Sequence, residues 1–227
     1  MDNAPVADQI KQFVLRLSAL KQGEAGKTVL LALYLFLVIG TYLIAKSVRD
    51  GLFLDRYGAF KLPYVIIGIA VAVGLFVTIY IRLARWIEPT RLVVGTLVLF
   101  ISNLIMFWWM IQAGFRSIYP AIYIWAGMYG AIAPAQVWTL ANDVFTTRQA
   151  KRTFGIVGSG GILGAIFGSY LTRAFALRIG TVPLLLIMAL LLFFAAVVVL
   201  ILSRYRLAPD AREERSPVPR HMMDSLK

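Results

Sequence analysis

Lys46, Arg49 and Asp50, near the end of the first long apolar run, are set at the spacing of one helix face. Lys46 and Arg49 are three residues apart and Lys46 and Asp50 four, so a helix continuing to about residue 53 gathers them on one side. Two cations steadied by one carboxylate make an electrostatic trap for an anion. The competing reading is a solvated loop of self-paired charges, since Asp55, Arg56 and Lys61 follow closely. A second group lies further along, where Asn142 and Asp143 precede Arg148, Lys151 and Arg152. Asp143 is placed to pair with Arg148 or Arg152 and latch two helices, or to end one helix in a short loop. Gln136 and Asn103 are amides inside apolar runs, a type that hydrogen-bonds between helices in lipid. Lys46, Arg49 and Asp50 are thus the candidate substrate-binding residues, and Gln136, Asn142, Asp143 and Arg152 the candidate gating or coupling residues.

Other chemistry has little to stand on. There is no cysteine, so no thiol nucleophile, disulfide or Cys-based metal site, and the one histidine, His221, lies in a polar tail. Neither a Ser/His/Asp set, a metal-ligand cluster nor a pair of carboxylates inside an apolar run is present. The expectation is a protein that binds, with no catalytic residues, no metal and no cofactor.

The elements that must position these residues are unusual. Residues 28–45, 62–81, 92–115, 117–142, 153–172 and 179–203 carry no charged side chain. A helix rises about 1.5 Å per residue and the hydrocarbon core is about 30 Å thick, so roughly 20 residues cross it. With 60% hydrophobic residues, 15% charged and a mean hydropathy of +0.78, the chain has more apolar surface than any core of its own could hide. The sequence therefore predicts an all-α membrane protein: a cytoplasmic lead-in over 1–27, six transmembrane helices over 28–203, and a flexible cytoplasmic tail or linker over 204–227.

A net charge of +12 by itself suits a nucleic-acid partner, but the basic residues form no stripe interleaved with aromatics. They sit between the spans. Sixteen of the 23 Lys and Arg residues fall in the lead-in, the second-to-third and fourth-to-fifth joints and the tail, and seven in the alternate joints. The richer side faces the cytoplasm, which puts both termini there, as an even number of spans requires. Lys46 and Arg49 then stand at the outer side, against that bias, and this favours a substrate site over a solvated loop.

In the lead-in, Ile10, Phe13, Val14, Leu17 and Leu20 recur three and four apart, the pattern of an amphipathic helix, which Gly23 and Gly26 are expected to interrupt before the first span. Pro63, Pro89, Pro120 and Pro183 open spans, whereas Pro134 lies deep inside the fourth and is expected to kink it. Residues 155–168 read GIVGSGGILGAIFG. No strand precedes them, so this is no phosphate-binding fingerprint. Gly160, Gly164 and Gly168 repeat at every fourth position and smooth one helix face for close packing against another helix.

Two blocks carry a family likeness. Arg49-Asp50-Gly51-Leu52 with Gly58-Ala59 and Leu62-Pro63-Tyr64 forms one, and Trp138 to Asp143 followed by Ala150-Lys151-Arg152, Phe154-Gly155 and the glycine run forms the other. Together they resemble bacterial relatives of the ATP/ADP translocases, nucleotide transporters related to the major facilitator superfamily. The resemblance covers residues 28–203. It implies one six-helix half of a major facilitator fold, in a bacterial inner membrane, exchanging nucleotides such as ATP and ADP or another organic anion by alternating access. It also implies that Arg49 stands where the family has a cation used in transport. Six spans being half of such a carrier, the expected partner is a second six-span half or a second copy of this chain, unless the chain is a truncated product. The rival reading is a non-transporting membrane anchor or scaffold whose tail docks a soluble protein.

Overall fold

A computed structural model describes residues 22–205. The amphipathic pattern of residues 6–21 and nearly all of the tail lie outside the described residues. Six long helices follow one another, α1 (Gln22–Tyr57), α2 (Leu62–Ala84), α3 (Pro89–Gln112), α4 (Tyr119–Val144), α5 (Thr147–Ile179) and α6 (Leu184–Leu202), with 3-10 turns at Ala59–Lys61, Arg116–Ile118 and Ser203–Tyr205. Short joints make successive helices antiparallel. Among the described residues there is no strand.

Local signals explain the ends. Pro63, Pro89 and Pro120 occupy the first turns of α2, α3 and α4, where a missing N–H costs nothing. Glycines at 58, 114 and 180 adopt positive φ and turn the chain between helices. α5 begins with a capping box: the Gln149 N–H donates to Thr146 Oγ1 at 3.4 Å, and the Thr146 N–H donates to Gln149 Oε1 at 3.0 Å. The helix of α4 continues across Pro134 without a break.

α1 is the hub, packing on α4, α5 and α6, while α3 packs on α6. Its contact with α5 is unusually close. A Cβ added to Gly160 would collide with the carbonyl oxygen of Ala32, one on Gly164 with that of Phe36, and one on Gly168 with that of Gly40. A Cβ on Gly40 would in turn lie 3.2 Å from the Gly164 carbonyl oxygen. Four-residue steps on both helices, in the same direction, lay two parallel backbones against each other with nothing between them. On its opposite side α1 meets α4 antiparallel, with Tyr42 against Gly130 and the Tyr129 hydroxyl donating to the Val38 carbonyl at 3.0 Å.

The surface identifies the solvent. Val71 is 66% exposed, Ile166 63% and Leu177 83%, and similar side chains cover the outer faces of α2, α3, α5 and α6. Such a surface is stable in hydrocarbon and not in water. Five helical segments are long and apolar enough to cross a membrane: Ala25–Tyr57, Ala59–Ala84, Pro89–Gln112, Gln149–Arg178 and Leu184–Tyr205. This is a multi-pass membrane protein.

Two expectations change. α4, at 26 residues, is long enough to span but is not among the five, because it carries Gln136, Thr139, Asn142 and Asp143 among small and aromatic residues. It is flanked by α1, α2 and α3, and a helix that faces protein does not need the apolarity that lipid demands. Nor do Gly23 and Gly26 interrupt the chain: α1 is continuous from Gln22. A single glycine costs a helix only about 1 kcal/mol, less than the packing of so long an element supplies.

The α1–α5 seam is directly testable. Gly164→Leu should lower stability by about 1–3 kcal/mol through overpacking, read as a fall in the thermal midpoint of the detergent-solubilised protein. Gly155→Ala, where an added Cβ has nothing within 4 Å, should leave the midpoint unchanged or raise it.

Candidate functional site

α1 rises well past the charge-free stretch, and its last three turns carry the first cluster. Residues i and i+1 on a helix point about 100° apart and do not ordinarily meet. Arg49 nevertheless turns its guanidinium back over the ring of Tyr123 on α4, with Cζ 4.5 Å from the ring centroid. In that position its Nε donates to Asp50 Oδ1 at 3.2 Å. The Arg49 side chain is only 15% exposed and that of Asp50 37%. Tyr123 is itself packed on Phe53, ring centroids 4.9 Å apart, so the platform is rigid.

This arrangement has a clear chemical capacity. A cation over an aromatic face gains from the ring quadrupole, more so when partly desolvated. Asp50 engages only Nε, and the terminal nitrogens, which carry four of the five guanidinium N–H donors, remain for an acceptor. An anion meeting this group finds a fork already oriented. Lys46 is one turn earlier on α1 and exposed, outside the Arg49–Asp50 ion pair.

The second group is less gathered. Asn142 is exposed and Asp143 half-buried in the last turn of α4. Arg152 is exposed in the second turn of α5, and the side chain of Arg148 lies outside the described residues. The cap of α5 is Thr146, not Asp143. Gln136, 2% exposed, sits deep between α4 and α2 beside the Tyr80 hydroxyl. The Tyr80 hydroxyl is its polar neighbour, although the two fall outside strict hydrogen-bonding geometry. Gly160, Gly164 and Gly168 line the α1–α5 seam described above. Among the described residues no group of His, Cys, Asp or Glu is placed to hold a metal ion.

Sequence reasoning passed over the tyrosines. Tyr123 holds Arg49, while Tyr129 is fully buried, stacked on Trp125 at 5.4 Å with planes 4° apart and edge-on to Phe100. The available signal was position. Tyr34 and Tyr129 fall in the middle of apolar runs, away from the interfaces where tyrosine ordinarily gathers in membrane helices.

No protein-family model matches the chain, and no solved structure matches it. It is similar to "ADP,ATP carrier protein 3" of Rickettsia felis, with 31% identity over 107 residues, 44% of this chain and 21% of that protein. The proteins of the same name from Rickettsia typhi and Rickettsia prowazekii are each 24% identical over 172 residues, covering 62% of this chain and 34% of theirs. The chain thus spans about a third or less of the length of the curated relatives it matches. By name these relatives are carriers of ADP and ATP.

The shared Arg49 contacts predict non-additivity. Asp50→Asn and Tyr123→Leu each remove one support of the same guanidinium. A double-mutant cycle on thermal stability in detergent should therefore return a coupling energy of roughly 0.5–3 kcal/mol. Additive effects would mean that the two contacts are independent.

Proposed function

We propose that this chain is a six-span membrane carrier unit for nucleotides, or for organic anions of similar charge, that works by alternating access together with a second set of helices. The observation that carries this reading is Arg49: a partly buried guanidinium, steadied by Asp50 and the Tyr123 ring at one end of the helix bundle. A phosphate group presents two or three acceptor oxygens to such a fork and neutralises a charge that lipid would otherwise penalise. The similarity to ADP,ATP carriers supports the same class of cargo.

In this reading α4 is the sixth span, its lower apolarity reflecting a place among other helices and beside a polar cavity. Both termini face the cytoplasm of a bacterial cell, by the distribution of Lys and Arg. Lys46 adds long-range attraction at the outer mouth, while Asn142, Asp143 and Arg152 serve the cytoplasmic end. The glycine seam lets α1 and α5 move as one body. A second copy of the chain or a separate six-span half completes the cavity, as in transporters built from repeats.

The test is binding of radiolabelled ATP to the purified chain reconstituted in lipid. Saturable binding that competes with ADP is expected, with affinity falling at least about tenfold in Arg49→Ala, the scale of one lost charge-assisted contact of roughly 1.5–3 kcal/mol. Unaltered binding in that variant would remove Arg49 from the site, and a chain that binds no nucleotide would be better read as a membrane anchor.

A further inference from the structure

A second polar site lies at the other end of α4. Gln136 is 13 residues beyond Tyr123, about 20 Å along the helix at 1.5 Å per residue. It lines a cleft of about 190 Å³ between α2 and α4, together with Val73, Phe76, Val77 and Tyr80 from α2 and with Ala131, Ala135 and Thr139 from α4. By strict geometry its amide nitrogen and oxygen and the Tyr80 hydroxyl make no hydrogen bond, and the hydroxyl and the amide have only each other as polar neighbours in the cleft. An unsatisfied amide in a membrane interior is costly, and apolar residues of similar volume would cost less. Such groups are kept where something else meets them.

The packing of α2 shows how. α2 seats closely on α4 near the Arg49 end, where Gly68 meets Ile124, Ile69 meets Gly127, and Val65 is the one buried side chain on the helix. Toward its other end it is held by single side chains, Tyr80 beside Gln136 and Phe76 against Phe100 of α3. A further cleft of about 380 Å³ opens there against α3, also lined by Phe76 and Tyr80 and reaching Arg91. α2 is therefore gripped at one end and flanked by open space on both sides of Phe76 and Tyr80 at the other.

We propose that Gln136 and Tyr80 form a recognition site for a flat nitrogen heterocycle, opened by outward movement of that end of α2. A primary amide offers a donor beside an acceptor and so reads a ring edge with the complementary pair, such as the amino group and ring nitrogen of adenine. The Phe76 and Tyr80 rings, centroids 6.2 Å apart and 24° from parallel, supply aromatic faces for stacking. Every other lining residue is apolar or, as Thr139, already donates its hydroxyl to the Ala135 carbonyl. The cleft has no charge, so it suits the neutral ring of a ligand and not its anionic part. The site depends on the carrier reading only for the choice of adenine as the probe.

The experiment is equilibrium dialysis of tritiated adenine against the purified full-length chain in detergent, with purine as competitor. Saturable binding is expected, about tenfold weaker for purine, which lacks the amino group, because a site built to hydrogen-bond a group rejects the analogue without it. Gln136→Leu should abolish binding while leaving the thermal midpoint unchanged or higher, since it removes an unsatisfied buried amide. Tyr80→Phe should weaken binding. Adenine that does not saturate, or that binds Gln136→Leu as well as the original chain, overturns the proposal. Saturable adenine binding without ATP binding would sink the carrier reading alone. ATP binding by a chain indifferent to adenine would sink this site alone.

Discussion

The absence of side chains between α1 and α5 is the contact on which the rest of the bundle depends. At Gly160, Gly164 and Gly168 the two backbones approach so closely that a single added carbon on any of the three has no room. In lipid, helices gain nothing from hiding apolar surface, so close van der Waals packing is the main force left to hold them together. The seam sets the register of α1, and α1 in turn presents Tyr34, Thr41, Arg49 and Asp50 toward α4. Without that register Arg49 would not reach the Tyr123 ring.

In α2 and α4 apolarity and burial run opposite to the order seen in soluble proteins. α2, among the most apolar helices, has one buried residue, and its faces are built from isoleucine, valine and leucine in the open. α4, among the described residues the only long helix not apolar enough to count as a span, is wrapped by α1, α2 and α3 and buries most of its aromatic residues. The physical reason is the solvent. Side chains facing lipid must be apolar, whereas side chains facing other helices are free to be small, aromatic or polar, provided their polar atoms find partners. Tyr129 does, through the Val38 carbonyl, and it ties α4 to α1 in the middle of the bundle. Gln136 has only the Tyr80 hydroxyl beside it, outside strict hydrogen-bonding geometry.

α4 thereby carries polar chemistry at both ends, with the Arg49 platform at one and the Gln136 cleft at the other. The ends differ in kind. The first is charged, partly open to solvent and rigidly supported by Phe53 and Tyr123. The second is neutral, a half-open cleft bounded by Phe76 and Tyr80 of α2.

The positions of the helices were legible in the sequence because lipid excludes charge over a fixed thickness, and the glycine spacing followed from the four-residue return of a helix face. Lys46, Arg49 and Asp50 could be seen to share a face for the same reason. Local sequence could not say which of the two cations Asp50 would hold, since i,i+1 neighbours on a helix diverge and only the ring of Tyr123, 74 positions further on, turns Arg49 back toward the carboxylate. Nor could it pair Gln136 with Tyr80, which depends on how α2 and α4 lie side by side. Sequence by itself determined that this chain lives in a membrane, since the free energy of transferring charge into lipid acts residue by residue. Tertiary structure decided which polar groups meet inside it, because those contacts depend on the register between helices distant in the chain.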